Sequence, residues 1–439
     1  MENHGIKNFD KLATTENRKI ALEIIEAGLG AISTEKVMEA SVSVLGNILF
    51  VKGKPFNLTK YKKIKVVGFG KSSCEAALAL EKILGTRISG GAVIGLSKVE
   101  SKYIETFAGT HPRSSEANVE AGNKIFEIIN GSTEEDLIIV LVSGGGSALL
   151  CYPESEYIQG AKLYDGFLKL GKTISEMNTI RKHLSLLKGG GLAKIAYPAT
   201  VIGLIFSDVP GDDFKDVASG PTYKDDTTVE DVKKIITKNN LGGFDLIETP
   251  KEDKYFDNVF NFVLVSDETA VEAMSKKVQE FDLDVSIAST NLYDETSVAL
   301  DKIFNAKKGP TFAGFWRKSD LNGSVVLASG EPSIVVPKEA GKGGRNLHMG
   351  LLAIKNEMKN IGDDSVFISF ASDGMDNSDA AGAVVDKKTL EHIEKLGINV
   401  DDALERFDSY LVFEKSGDMI MTGPTGANVS DLMLLLTKK

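Results

Sequence analysis

The chain has 439 residues, with 51 Lys and Arg against 62 Asp and Glu, for a formal net charge of −11. At 42% hydrophobic and 26% charged residues it has the balance of a soluble globular protein, long enough for two domains with sizeable cores. The acidic excess argues against a general nucleic-acid binder or a binder of anionic membranes.

In chain order, helical periodicity spans Glu16–Leu29 and Thr34–Leu45. Lys63–Val67 reads as a strand, followed by the turn Gly68-Phe69-Gly70 and a helix over Lys71–Leu84. Gly90–Ile94 and Tyr103–Phe107 are short strands, and Ser115–Ile129 is a helix. Leu137–Val142 is a run of β-branched and aliphatic residues, the pattern of a strand buried on both faces. Ile158–Gly171 and Ser175–Leu187 are helical, and Thr200–Phe206 is a further buried strand. Strands alternating with helices predict a mainly parallel sheet with helices on both faces.

The polar, acidic stretch from Leu241 to Asp257 reads as a linker. This sets an N-terminal Rossmann-like α/β domain at residues 1–245 and a C-terminal α/β domain at 246–439. Val263–Val265, Val285–Ala288, Ser324–Ala328 and Val366–Phe370 are strands of the second domain. Glu268–Phe281 and Arg345–Met358 are its helices, and Val429–Leu436 reads as a short amphipathic helix. A cleft between two such domains is the expected ligand site.

Other classes have no support. Cys74 and Cys151 have no metal-ligand spacing, give no disulfide framework and fit a reducing cytoplasm. No run approaches a membrane span, and the polar first residues resemble no secretory signal.

Several glycine-rich segments carry the chemistry. After the strand ending at Val142 come Ser143, Gly144, Gly145, Gly146 and Ser147, and then a helix start. Glycines admit a ligand close to backbone amides, and a helix N-terminus favours negative charge, so a phosphate or carboxylate is expected there. Gly68-Phe69-Gly70-Lys71-Ser72-Ser73 is a second strand–glycine–helix element. It is neither a Walker A loop, since position 65 is Lys, nor a dinucleotide fingerprint, since Ser73 stands at the third glycine position. A cation at a helix start is unfavourable for the helix dipole, which points to a ligand-facing Lys71 beside Gly70 and Ser72.

The stretch from Asn178 to Gly191 offers Arg181 and Lys188, either as contacts for an anionic substrate or as a solvated basic face with a glycine cap. Asp208 and Asp212 follow the strand Thr200–Phe206, where acidic residues suit Mg²⁺, or alternatively a plain turn. Gly344, Arg345 and Asn346 form another glycine turn at a helix start, with an arginine able to grip phosphate bidentately. Asp373 opens an acidic loop, residues 372–379, that lacks the register of a calcium loop. Amide cradles, a lysine, an arginine and carboxylates are the parts that phosphoryl transfer uses.

With these segments in this order, the chain resembles the class II glycerate kinases, or glycerate 2-kinases, whose C-terminal half is of the MOFRL type. The resemblance runs from about Glu16 to the C-terminus. It is carried by GFGKSS (68–73), THP (110–112), VSGGGSALL (142–150), NTIRKHLSLLKGG (178–190), SDVPGDD (207–213), ASGPT (218–222), GKGGRN (341–346), SDGMDNSDAAGAVVD (372–386) and GPTGANVSDL (423–432). It implies two α/β domains with the active site in the interdomain cleft. It also implies ATP- and Mg²⁺-dependent phosphorylation of D-glycerate at its 2-hydroxyl, giving 2-phosphoglycerate.

Lys71 and Arg345 match the family's functional lysine and arginine. They would neutralise charge on the transferred group, and Asp208 or Asp212 would orient or deprotonate the acceptor. The chain departs from the family pattern at Gly191, Leu347, His348 and Asn377. A related small hydroxy acid is therefore a second acceptor class, with a hydroxypyruvate reductase or a non-catalytic binder of a phosphometabolite as rival readings. The expected partners are ATP and D-glycerate, with no nucleic acid and no membrane, and a homo-oligomer is left open.

Overall fold

A computed structural model describes residues 4–170, 174–207, 214–306, 323–337, 339–356, 364–427 and 429–438. The chain divides into two compact units, residues 34–265 and residues 1–33 with 266–439. The division falls at 33/34 and 265/266, not at the expected 245/246. The sheet of the 34–265 unit takes in one more strand after the stretch expected to be a linker.

That sheet is built from Lys63–Phe69 (β1), Ile88–Gly95 (β2), Glu105–Ala108 (β3), Asp136–Ser143 (β4), Thr200–Phe206 (β5) and Val259–Val265 (β6). Its order is β3-β2-β1-β4-β5-β6, and every neighbouring pair is parallel. Both faces are covered. Val67, Phe69, Val140 and Val142 join Ala121, Ile125 and Ile129 of the Glu116–Ile129 helix and Leu192 of the Gly191–Ala196 helix in one core. Val66 and Leu141, next along the same strands, point to the opposite face and are equally buried. The Ser73–Leu84 helix packs against β1, β2 and β4 through this unit.

The order reverses once. From β1 the chain builds outward to β2 and β3, then returns to place β4 on the other side of β1. In open α/β sheets, ligands bind outside the carboxyl ends of the strands at such a switch point. Here those ends are Phe69 and Ser143. Residues 42–57, expected to continue a helix as far as Leu45, instead form a three-stranded antiparallel sheet after the shorter Thr34–Ser41 helix.

The second unit has a six-stranded mixed sheet: Asp284–Ser289 (β7), Gly323–Gly330 (β8), Ser365–Ala371 (β9), Gly382–Asp386 (β10), Met419–Ile420 (β11) and Asp431–Lys438 (β12), in the order β7-β8-β12-β9-β10-β11. β12 replaces the expected C-terminal amphipathic helix. It runs antiparallel to both β8 and β9 and is buried from Asp431 to Thr437. The Glu16–Ile32 helix belongs to this unit. Arg18, buried in it, donates from Nε to Asp386 at 2.6 Å and from Nη1 to Asp418 at 2.8 Å. One guanidinium thus fixes this helix to strand ends nearly four hundred residues away.

Candidate active site

The switch point brings the first two glycine turns together. Gly70 has φ +128°, open to glycine but not to residues with a Cβ. Next to it, the Lys71 N–H donates to the Gly144 carbonyl at 2.8 Å, and the Ser72 N–H donates to Ser143 Oγ at 3.0 Å. Ser72 and Ser143 are buried and act as struts. Two hydrogen bonds therefore weld β1's exit to β4's exit. Gly145, at φ +77°, lies under the Lys71 side chain: a Cβ there would come 3.2 Å from Lys71 Cγ and 3.1 Å from His111 Cδ2. His111, in the segment 110–112, flanks the same turn.

The far side of the loop is closed by residues 214–219. Ala218 and Ser219 both have positive φ, 52° and 61°, unfavourable for residues with a side chain. The bend holds Ala218 against Gly146, whose added Cβ would meet Ala218 Cβ at 2.5 Å. It also sets Ser219 Oγ 2.8 Å from Ser147 Oγ. Strain of this kind persists where surrounding contacts impose it, commonly at functional sites.

Arg181 and Lys188 part company. The Arg181 guanidinium is half-buried in a cavity beside Ser147. Lys188 is 1% exposed, and its ammonium donates to the Leu150 carbonyl at 2.7 Å and pairs with Glu156. Lys188 is therefore an internal ion that ties the end of the glycine loop to the Glu154–Leu170 helix, and not the expected phosphate ligand. Lys182, next to Arg181 on the Ile174–Lys182 helix, faces a second cavity and pairs with Asp216 at 2.8 Å and Asp225 at 3.3 Å. Asp208 and Asp212 lie outside the described residues. Among the described residues no cluster of three or more His, Cys, Asp or Glu side chains could hold a metal ion.

In the second unit the candidates gather where β8 and β9 end and β12 begins. Arg345 opens the Arg345–Asn356 helix. Its Nε pairs with Asp431, the first residue of β12, and its Nη2 lies 3.2 Å from Glu331 and 3.5 Å from the other Asp431 oxygen. Burial pushes the Asp431 carboxyl up to about 7 against the pull of Arg345, and the neighbouring charges of Glu331 and Asp376 add to the rise. Burial also opposes the Arg345 charge, but Asp431 and Glu331 outweigh it and hold the guanidinium above its ordinary range. The proton that can move in this cluster is therefore the carboxyl's.

Gly344 and Asn346 are structural here. The Asp376 carboxylate accepts from the Asn346 N–H at 3.0 Å and the Leu347 N–H at 2.8 Å, capping the helix from a loop thirty residues later. Asn346 is buried, donating to Asp376 at 3.2 Å and accepting from Ser369 Oγ at 2.6 Å. Gly344 packs directly on Asp376. Asp373 accepts from the Met375 N–H at 3.0 Å within its turn.

The departures from the family pattern have local reasons. Leu347 is buried in the core of this unit, and His348 stacks on Phe407 with centroids 4.9 Å apart. At Gly191 a side chain would run into the Leu186 carbonyl. Asn377, at φ 49°, donates to the Gly343 carbonyl at 3.2 Å.

Residues 20–245 match the family described as domain of unknown function DUF4147, and residues 324–431 match the MOFRL family. Glycerate 2-kinase of Pyrococcus horikoshii is 34% identical over 95% of this chain and 97% of its own. A protein of Agrobacterium vitis, provisionally named a hydroxypyruvate reductase, is 33% identical over 84% of this chain and 98% of its own. The crystal structure of glycerate kinase from Thermotoga maritima superposes with a TM-score of 0.79 at 29% identity, covering 95% of this chain and 99% of that one.

Proposed function

The chain belongs to the glycerate 2-kinase family, and from that premise we propose that it transfers the γ-phosphoryl group of ATP to the 2-hydroxyl of D-glycerate, yielding 2-phosphoglycerate and ADP. The acceptor O–H gives up its proton as the new P–O bond forms and the bond to ADP breaks. The observation that carries the reading is the pair of glycine turns bonded across the β1/β4 switch point, with Lys71 standing over Gly145.

The amides of that loop and the Lys71 ammonium suit the oxygens of a phosphate or carboxylate. Lys71 and Arg345 neutralise charge that accumulates on the transferred group. Asp208 or Asp212 would orient or deprotonate the acceptor hydroxyl, and the two would hold Mg²⁺, which would supply further charge neutralisation at the phosphates. Such a reaction depends chiefly on positioning and electrostatics, so no strong base is required. The free, buried thiols of Cys74 and Cys151 accord with a cytoplasmic enzyme.

The test is ADP release with ATP, Mg²⁺ and D-glycerate, with the product's phosphate position assigned by phosphorus NMR. Release that needs both substrates and yields the 2-phosphate supports the reading. Release with another small hydroxy acid in preference to D-glycerate moves the acceptor. NADH oxidation with hydroxypyruvate and no ADP release replaces the kinase with a reductase.

A further inference from the structure

Among the described residues Arg181 has no counter-ion in hydrogen-bonding reach. Among the described residues its one hydrogen bond is a long one, 3.4 Å from Nη1 to Asn178 Oδ1. Burial pushes the guanidinium below its ordinary range, with the negative charge of Glu156 opposing the shift. Glu156 is already engaged: one carboxylate oxygen takes the Lys188 ammonium, and the other accepts from the Tyr152 N–H at 2.9 Å. Arg113, on the rim of the same cavity, is paired with Asp165. With those charges cancelled in pairs, Arg181 is the positive charge left on the cavity wall among the described residues.

The cavity is small, ≈ 30 Å³, and its wall includes Ser114, Ser147, Tyr157 and Tyr164. That volume takes the oxygens of one carboxylate or one phosphoryl group. Ser147 places it. The residue ends the glycine loop whose Gly145 lies under Lys71, two residues away. A ligand anchored at Arg181 thus extends toward the switch point. Guanidinium is the group whose planar fork matches a carboxylate.

We propose that the Arg181 cavity is the subsite for the acceptor's carboxylate, so that Arg181 selects hydroxy-carboxylates over neutral polyols. The proposal rests on the kinase reading for the identity of the acceptor. Its geometry stands on the cavity alone.

The experiment compares wild type, Arg181→Lys and Arg181→Met. ADP release is measured with D-glycerate and ATP varied in turn, and D-glycerate and glycerol binding are measured by calorimetry. Thermal melts confirm that each variant is folded. Removing a charge-assisted bond should raise the KM or Kd for D-glycerate roughly 10- to 100-fold in Arg181→Met, with a smaller rise in Arg181→Lys. The KM for ATP should stay within about twofold, and glycerol binding should be weak in wild type and variants alike. A rise confined to ATP would reassign the cavity to a nucleotide phosphate and overturn the proposal. Unchanged D-glycerate affinity in folded Arg181→Met would also overturn it, as would a wild type that binds no D-glycerate. Arg181-dependent binding of D-glycerate without turnover would keep the subsite and defeat the kinase reading instead.

Discussion

The backbone N–H of Lys71 donates to the carbonyl of Gly144 at 2.8 Å, so the residue expected to meet the transferred phosphoryl group is pinned to the loop expected to cradle it. The bond crosses the switch point of the sheet, where β1 and β4 are neighbours in space although their last residues, Phe69 and Ser143, are 74 positions apart in the chain. The main chain of Lys71 is thus fixed by the fold, while its side chain rises over Gly145.

Lys71→Ala should therefore keep its fold and lose turnover. The main-chain bond survives the substitution, and Lys71 contributes nothing to the apolar core. Loss of one pre-organised charge should lower kcat by roughly 10²- to 10³-fold, with the thermal midpoint little changed. Steady-state kinetics beside a melting curve checks this. Near-normal turnover in a folded variant removes Lys71 from the mechanism.

Lys188 should behave in the opposite way. Its ammonium is enclosed with Glu156, so Lys188→Met leaves a buried carboxylate without its partner, at a cost of about 3–5 kcal/mol. A second change, Glu156→Gln, removes the stranded charge and should recover a large part of that loss. Denaturant melts of both single variants and the double variant give the coupling directly. An additive double variant would mean that the two charges do not depend on each other.

Arg345→Lys should not be conservative. The guanidinium meets Asp431 through Nε and reaches Glu331 through Nη2, a division of donors that its planar fork permits. A lysine keeps one charge but not both directions. With Asp431 still supplied a cation, stability should change little, while kcat falls roughly tenfold or more. A variant with wild-type kcat would show that the fork is not used.

The sequence makes the first sheet readable and the second less so. Thr200–Phe206 is found at the expected bounds because its β-branched run is flanked by turn residues and buried on both faces. The run at Leu432–Leu436 has the same burial but no period, and its leucines favour a helix; pairing on both sides, with β8 and β9, decides for a strand. The glycine turns were legible because positive φ and close approach leave a mark in composition. Lys188 was misread because sequence displays a charge and conceals its partner, here 32 residues earlier. Asp376 gave no sign of capping the Arg345–Asn356 helix, since that role depends on the 372–379 loop folding back onto Asn346 and Leu347.

Acid stability depends on a cluster around Asp225 that the sequence did not disclose. Asp225 is buried. It accepts from Thr227 Oγ1 at 2.7 Å and Thr249 Oγ1 at 3.0 Å, and lies 3.3 Å from Lys182 and 3.5 Å from His183. Burial pushes its carboxyl up, but the hydrogen bonds from His183 and Thr227, the Lys182 charge and the bond from Thr249 outweigh it. The carboxyl is held well below the usual range. Near pH 4 the unfolded chain therefore holds a proton at this site that the folded chain does not, and stability rises with pH through that window. The contribution is complete above the ordinary carboxyl pKa of about 4 and fades as pH falls below it toward the depressed native value. Asp225→Asn keeps the shape and removes the charge, so it should lower stability by about 3 kcal/mol at pH 7. The gap between wild type and variant should narrow as pH falls below about 4. Urea melts at a series of pH values would show it. A gap that stays constant across the series would mean that the Asp225 carboxyl titrates alike in the folded and unfolded chains.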